Sequence, residues 1–247
     1  MHNMTDIIDK VHCADCLEFM RDMPDNCVDL VLTDPPYFLP AQSYVGARGK
    51  GYPKRTLADT SPLKAYFHLI CGELDRITKP DGTWYLFCDG QSYPIFYEAM
   101  FPHCKHVRPL IWDKMVSYNG YTWRHGHELI AWGERAETKR VPTGDSDILR
   151  CRGVKQKDRL HPAEKPVELH QKLIRKHEPG IVLDSFAGSG SVQGACVREA
   201  RHFVGIEISP EYCDIAEKRI QDERDKYKML EGIECRNKGA GQNNLNN

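Results

Sequence analysis

Apolar runs of strand length alternate along this chain with stretches in which apolar residues recur every three or four positions. That alternation predicts a mostly parallel sheet with helices on both faces. The strand candidates are Lys10-Val11-His12, Val28 to Thr33, Thr83 to Cys88, His106 to Trp112, Glu128 to Trp132, Ile181 to Asp184 and His202 to Glu207, a seven-stranded sheet. Helices are predicted over Asp15 to Met23 and over Ser61 to Thr78, where Leu63, Phe67, Ile70, Leu74 and Ile77 share a face and Thr60 or Ser61 can cap. Lys79-Pro80-Asp81-Gly82 reads as the turn that ends the second of these. Pro166 to Lys176, Ser191 to Ala200 and Pro210 to Tyr227 read as further helices, the last with Pro210 in its first turn. The Gly- and Asn-rich tail 237–247 reads as disordered, leaving a single domain over 1–236.

A chain of 247 residues can bury a sizeable α/β core. Its net charge of -1 excludes a uniformly basic nucleic-acid coat, so any affinity for phosphate must come from local clusters. Two stretches qualify. Residues 38–58 carry Arg48, Lys50, Lys54 and Arg55 with no acid among them, interleaved with Tyr44 and Tyr52. Ile148 to Leu160 carries Arg150, Arg152, Lys155, Lys157 and Arg159 against the single acid Asp158. Each alone is also what a solvated loop looks like, but their positions beside the two motifs below suit a phosphate backbone entering one cleft. No apolar run approaches the ~20 residues of a membrane span, and the polar amino terminus lacks a signal peptide's pattern, so a cytoplasmic protein is expected. Ten cysteines lie mostly in apolar segments and read as reduced, buried small hydrophobes. Cys13 and Cys16 form one C-x-x-C without a second pair at zinc-ribbon spacing, so no metal site is expected.

The chemistry concentrates at two points. Asp34-Pro35-Pro36-Tyr37 follows the strand Val28 to Thr33, so Asp34 emerges at the strand's carboxyl end, where ligand crevices open in α/β sheets. The prolines stop the strand and leave carbonyl acceptors without competing donors. A carboxylate and a carbonyl that each accept one N–H of a planar amino group would draw its nitrogen toward tetrahedral geometry and free the lone pair for an electrophile. Tyr37 could stack on the ring that bears the amino group. A capped Pro-Pro turn is the plain alternative.

The second point is Asp184-Ser185-Phe186-Ala187-Gly188-Ser189-Gly190, which runs from a buried strand into a glycine turn and a helix. Glu207 ends the next strand and can accept the hydroxyls of a ribose. The dinucleotide pattern G-x-G-x-x-G fails at Gln193, and Asp184 would repel a pyrophosphate but welcome an ammonium, which favours S-adenosylmethionine.

With both motifs in view, the chain resembles the amino-methylating DNA methyltransferases (N6-adenine and N4-cytosine) of the permuted order, in which the catalytic motif precedes the cofactor motif. The residues that carry the resemblance are Asp34-Pro-Pro-Tyr37, Asp184 to Gly190, Glu207 and His161-Pro-Ala-Glu-Lys-Pro166, with Trp112-Asp113-Lys114 and His127-Glu128 as intervening elements. The resemblance implies a Rossmann-like class I methyltransferase fold and S-adenosylmethionine as cofactor. It implies that Asp184, Phe186, Gly188 and Gly190 hold the methionine moiety, Glu207 the ribose, and Asp15 and Cys16 the adenine. His161 and Lys165 would close over the methionine end, while Asp34, Pro35, Pro36 and Tyr37 hold a base flipped from double-stranded DNA. The aspartate form of the motif usually accompanies adenine N6, with cytosine N4, an RNA adenine, or a non-catalytic nucleic-acid-binding subunit as alternatives. The recognition stretch 133–160 is short for the family, which leaves specificity shared with the loop after Tyr37 or completed by a homodimer, and leaves open an accompanying restriction enzyme.

Overall fold

The computed structural model describes residues 2–36, 61–116, 122–138, 144–155, 157, 159–160 and 164–242, with backbone alone at 61 and 230–242. Tyr37, Arg48, Lys50, Lys54, Arg55 and His161 lie outside the described residues. The elements are α1 (Met4–Ile7), β1 (Lys10–Cys13), α2 (Cys16–Arg21), β2 (Val28–Thr33), α3 (Ser61–Ile77), β3 (Thr78–Cys88), α4 (Tyr93–Met100), β4 (His106–Asp113), β5 (His127–Glu134), β6 (Ile148–Arg150), α5 (Val167–Ile174), β7 (Ile181–Asp184), α6 (Ser191–Arg198), β8 (His202–Glu207) and α7 (Pro210–Gln242).

The strands form one sheet in the order β1-β8-β7-β2-β3-β5-β4-β6. Among the described residues only β5 runs against the others, since its two pairings, with β3 and β4, are antiparallel and every other pairing is parallel. Alternation along the strands divides the core between two faces. Val31, Trp84, Leu86 and Leu183 pack under α1 to α4, while Leu30, Leu32, Tyr85 and Phe87 pack under α5 to α7. The chain leaves β2 through α3 to β3 on one side, and leaves β7 through α6 to β8 on the other. The carboxyl ends of β2 and β7 therefore flank the point where the winding reverses, which is where an α/β sheet opens a ligand crevice.

Among the described residues the sheet has eight strands, one more than the seven expected. The addition, β6, pairs parallel to β4 at the edge and spans three residues, too few for alternation to register in the sequence. The stretch Lys79-Pro80-Asp81-Gly82, read as a helix-ending turn, belongs to β3, because the register slips between Val28↔Thr78 and Leu30↔Thr83 and absorbs the extra residues. α4 and α1 fall in stretches left unassigned by periodicity, and α7 continues to Gln242, past Tyr227 and into the tail expected to be disordered from Asn237. Among the described residues, no helix is long and apolar enough to cross a membrane, and nine cysteines are free, all buried except Cys13.

Candidate active site

Val28 to Thr33 is a fully apolar strand apart from Asp29 and Thr33, so it runs through the sheet's centre and must release the chain at its edge. Pro35 and Pro36 prevent further pairing there. Asp34, Pro35 and Pro36 thereby line a cavity of about 710 Å³ together with Phe186, Ala187 and Gly188. The volume lies within the roughly 300 to 1,000 Å³ of small-molecule sites. Asp15, Cys16, Lys165, Asp184 and Glu207 line the same cavity. Every described residue expected in the catalytic and cofactor motifs is thus in one place except Gly190. That residue begins α6 at φ 77°, where a Cβ would meet Ala216 of α7 at 2.9 Å. Gly188, at φ 52°, has nothing within 4 Å of where its Cβ would be.

The site's polar atoms are largely engaged by the protein. Asp15 caps α2, accepting from the N–H groups of Leu17 (2.9 Å) and Glu18 (3.1 Å). Cys16 Sγ lies 3.4 Å from the Tyr66 hydroxyl, and burial pushes both groups up in pKa, the tyrosine's beyond its ordinary range. Glu207 accepts from Gly188 N–H at 2.8 Å and Ser209 N–H at 2.9 Å. A carboxylate has about four acceptor positions, so capacity remains for two hydroxyls. Asp184 accepts from Thr33 Oγ1 (2.8 Å), Phe186 N–H (3.2 Å) and Gln193 Nε2 (3.3 Å), which ties the ends of β2 and β7 together. Burial pushes its carboxyl up to about 7 against those three bonds, with the nearby Asp34 charge adding to the rise.

The surroundings of Lys165 follow from no motif spacing. Its side chain is 4% exposed, and its ammonium donates to Asp34 Oδ2 at 2.5 Å with Glu128 Oε2 at 3.4 Å. Glu128 in turn pairs with Lys114. Burial drives the Lys165 ammonium toward neutrality, but the two carboxylates outweigh it and hold its pKa above the ordinary lysine value. Burial would likewise raise Glu128, and the Lys165 and Lys114 charges reverse that and hold it low. Next to Lys165, Glu164 is anchored by Arg219 of α7 at 2.5 Å and by Leu160 N–H at 2.6 Å.

Motif spacing missed several lining residues: Tyr66 from α3, His170 from α5, Tyr212 from α7 and Ile208 after Glu207. Ile208 is 69% exposed, and the available signal for it in the sequence was an apolar residue standing directly after the strand-ending acid Glu207. The expected nucleic-acid residues Arg150, Arg152, Lys155 and Lys157 are exposed and do not line the cavity. Arg150 aligns with Asp113 at the end of β4, so the basic stretch leaves the sheet on the edge that also carries Asp34.

Solved structures with this architecture include TTHA0409 of Thermus thermophilus in complex with S-adenosyl-L-methionine (TM-score 0.67, 21% identity, covering 87% of this chain and 93% of that one). The PvuII DNA methyltransferase (cytosine-N4-specific) also superposes, at TM-score 0.67 and 18% identity over 87% of this chain and 91% of that one. The fold is that of the class I methyltransferases. YubD of Escherichia coli (strain K12) is 31% identical over 214 residues, 84% of this chain and 88% of YubD. The DNA methylase family model, that of the N6/N4 amino-methyltransferases, matches residues 28–218, and the chain belongs to that family.

Proposed function

We propose that this protein transfers a methyl group from S-adenosylmethionine to the N6 amino group of adenine in double-stranded DNA. The observation that carries the reading is the single cavity shared by Asp34-Pro35-Pro36 with Gly188 and Glu207. The residues present suit the cofactor: the open space at Gly188 admits a ligand against backbone, Glu207 retains acceptor positions for ribose hydroxyls, and Phe186 and Ile208 offer apolar surface. Asp184, Phe186 and Gly188 would hold the methionine end and Asp15, Cys16 and Ile208 the adenine end. The bound cofactor supplies an electrophilic methyl group on a sulfonium.

The chain's own part is orientation and acceptance. A base must rotate out of the duplex to reach the cavity, at a cost of a few kcal/mol. Stacking on Tyr37 would offset roughly 1 to 3 kcal/mol of it. Asp34 and the Pro35 carbonyl accept the two N–H bonds of the amino group, which aims its lone pair into the cavity and leaves no role for a covalent intermediate. The superposition with a cytosine-N4 enzyme means the fold does not choose the base. The aspartate at the head of the motif is what favours adenine. Arg150, Arg152, Lys155 and Lys157, with Arg48, Lys50, Lys54 and Arg55, would meet the phosphate backbone.

The decisive experiment offers labelled cofactor with duplex DNA, single strands and RNA together, and identifies the modified nucleoside by mass spectrometry. N6-methyl-2′-deoxyadenosine from duplex DNA is expected. N4-methylcytosine, or label in RNA alone, would replace this reading, and no transfer to any polymer would leave a binding subunit. The Asp34→Ala variant should bind cofactor and lose nearly all transfer, because Lys165 keeps Glu128 as partner and the site stays folded. Near-normal methylation by that variant would sink the mechanism.

A further inference from the structure

The family resemblance assigns Lys165 to the cofactor, yet the structure surrounds its ammonium with the protein's own carboxylates. Four charges alternate from the β4–β5 hairpin to the end of β2: Lys114, Glu128, Lys165 and Asp34. Their side chains are 16%, 22%, 4% and 23% exposed, so the row runs through poorly solvated space, and its two cations and two anions sum to zero. Lys114 also lies over the Trp112 ring, 4.9 Å from its centroid, which fixes the hairpin end of the row. At the other end, the backbone of Lys165 is pinned on both sides. Glu164 is bonded to Arg219 and Leu160, and Pro166 stands at the N-cap position of α5 with its extended backbone fixed by the ring.

We infer that Lys165 is a positioning residue for Asp34: with Glu128 and Lys114 behind it, it keeps the Asp34 carboxylate ionised and fixes the direction its oxygens present to an incoming amino group. This rests on the reading of Asp34 as the amino acceptor. The physical need is plain, because an aspartate at the loose end of a strand can turn about its side-chain bonds. A carboxylate that is protonated or misdirected no longer accepts an N–H. A buried ammonium at 2.5 Å removes both freedoms. It also gives two elements that do not line the cavity, Trp112-Asp113-Lys114 and His127-Glu128, a role as the anchor for that ammonium. The other titratable groups around Asp34 are Asp184 on β7 and Cys88 at the end of β3, while His170 of α5 and Arg219 of α7 act on Lys165's surroundings. The Asp34 charge opposes ionisation of Asp184, the buried Cys88 thiol is held neutral, and His170 is neutral at working pH. Lys165 is thus a cation bonded directly to the acceptor.

The test compares Lys165→Met and Glu128→Gln with the wild type in three measurements: cofactor affinity by calorimetry, the pH profile of kcat, and a carbon-13 NMR titration of the Asp34 carboxyl without substrate. Lys165→Met should leave cofactor affinity unchanged and lower kcat about 100-fold, the scale of a misplaced reacting group. It should move the acid limb and the Asp34 titration up by about one pH unit or more. Glu128→Gln removes a negative neighbour instead, so both should move down. Opposite shifts are something a merely structural role does not produce. Weakened cofactor binding with an unmoved Asp34 titration would overturn the inference and return Lys165 to the cofactor. If Lys165→Met does not fold, the direction of the Glu128→Gln titration decides. The NMR readout needs no turnover, so a wild type that methylates nothing would refute the proposed function while still deciding this point.

Discussion

Gly188 and Gly190 belong to one turn, and the structure separates their jobs sharply enough to test. Both have positive φ, 52° and 77°, so alanine at either bears a left-handed backbone cost of about 1 to 2 kcal/mol. They differ in surroundings. A Cβ at Gly190 would stand 2.9 Å from both Cα and Cβ of Ala216, in the packed seam between α6 and α7. Overpacking there adds about 1 to 3 kcal/mol, which brings Gly190→Ala to roughly 2 to 5 kcal/mol. For a domain of this size that is a melting-point loss of about 4 to 20 °C. A Cβ at Gly188 meets no protein atom within 4 Å, so Gly188→Ala should lose only about 2 to 8 °C. Its methyl group instead enters the cavity, and the cofactor's affinity should fall by about tenfold or more, the equivalent of about 1.4 kcal/mol. Thermal unfolding without ligand and calorimetric titration of S-adenosylmethionine separate the two. The reasoning fails if Gly188→Ala proves as destabilising as Gly190→Ala, or if the folded Gly190→Ala protein has the weaker cofactor affinity of the pair.

Two further outcomes follow from charge. Burial holds the His177 imidazole, bonded to the Tyr85 hydroxyl at 2.9 Å, down to about 4, and the His170 imidazole down to about 3. Below an unfolded value of about 6.5 the unfolded chain takes up these protons first, so stability drains as pH falls through that window, while Asp184, raised to about 7 from an unfolded value of about 3.9, gains stability across the whole of it. Two imidazoles outweigh one carboxyl, so the melting temperature should drop between about pH 6.5 and 4, and His177→Gln should shrink the drop; an unaltered pH profile in the variant would refute the assignment. For the proposed DNA interface, neutralising Arg152, Lys155 and Lys157 should reduce the salt slope of duplex binding by about 0.9 for each phosphate that is no longer neutralised. Arg150 is left intact because Asp113, 3.7 Å away, already offsets its charge, and an unchanged slope would make the stretch an ordinary surface loop.

Legibility in the sequence followed the range of the interaction. Val28 to Thr33, Ile181 to Asp184 and His202 to Glu207 begin and end where their apolar runs do, because a central parallel strand is buried on both faces and admits few polar residues. β6 escaped because an edge strand of three residues has one exposed face and no room for a period. α4 escaped although Pro94 stands in its first turn, since apolar residues nearly fill the segment and blur the helical period. Within the site, the turns carrying Asp34, Gly188 and Glu207 were legible because their chemistry is local: a proline pair, a glycine, an acid at a strand end. The partners were not. Lys165 meets Asp34 across 131 positions, and no spacing rule reports which distant carboxylate a buried ammonium finds.

The hydrogen bond from Thr33 to Asp184 joins residues 151 positions apart. The strands they end are neighbours at the middle of the sheet, so the two walls of the cavity come from opposite reaches of the polypeptide. A ribosome making this protein exposes the Asp34 turn well before β7 and must add roughly 150 further residues before β7 can seat beside β2. Pairing of such high contact order is slow, and the central strand waits meanwhile with unpaired edges. The cavity therefore cannot close until β7 has been made, and a product of synthesis that stops short of β7 lacks the residues from Asp184 onward that line it.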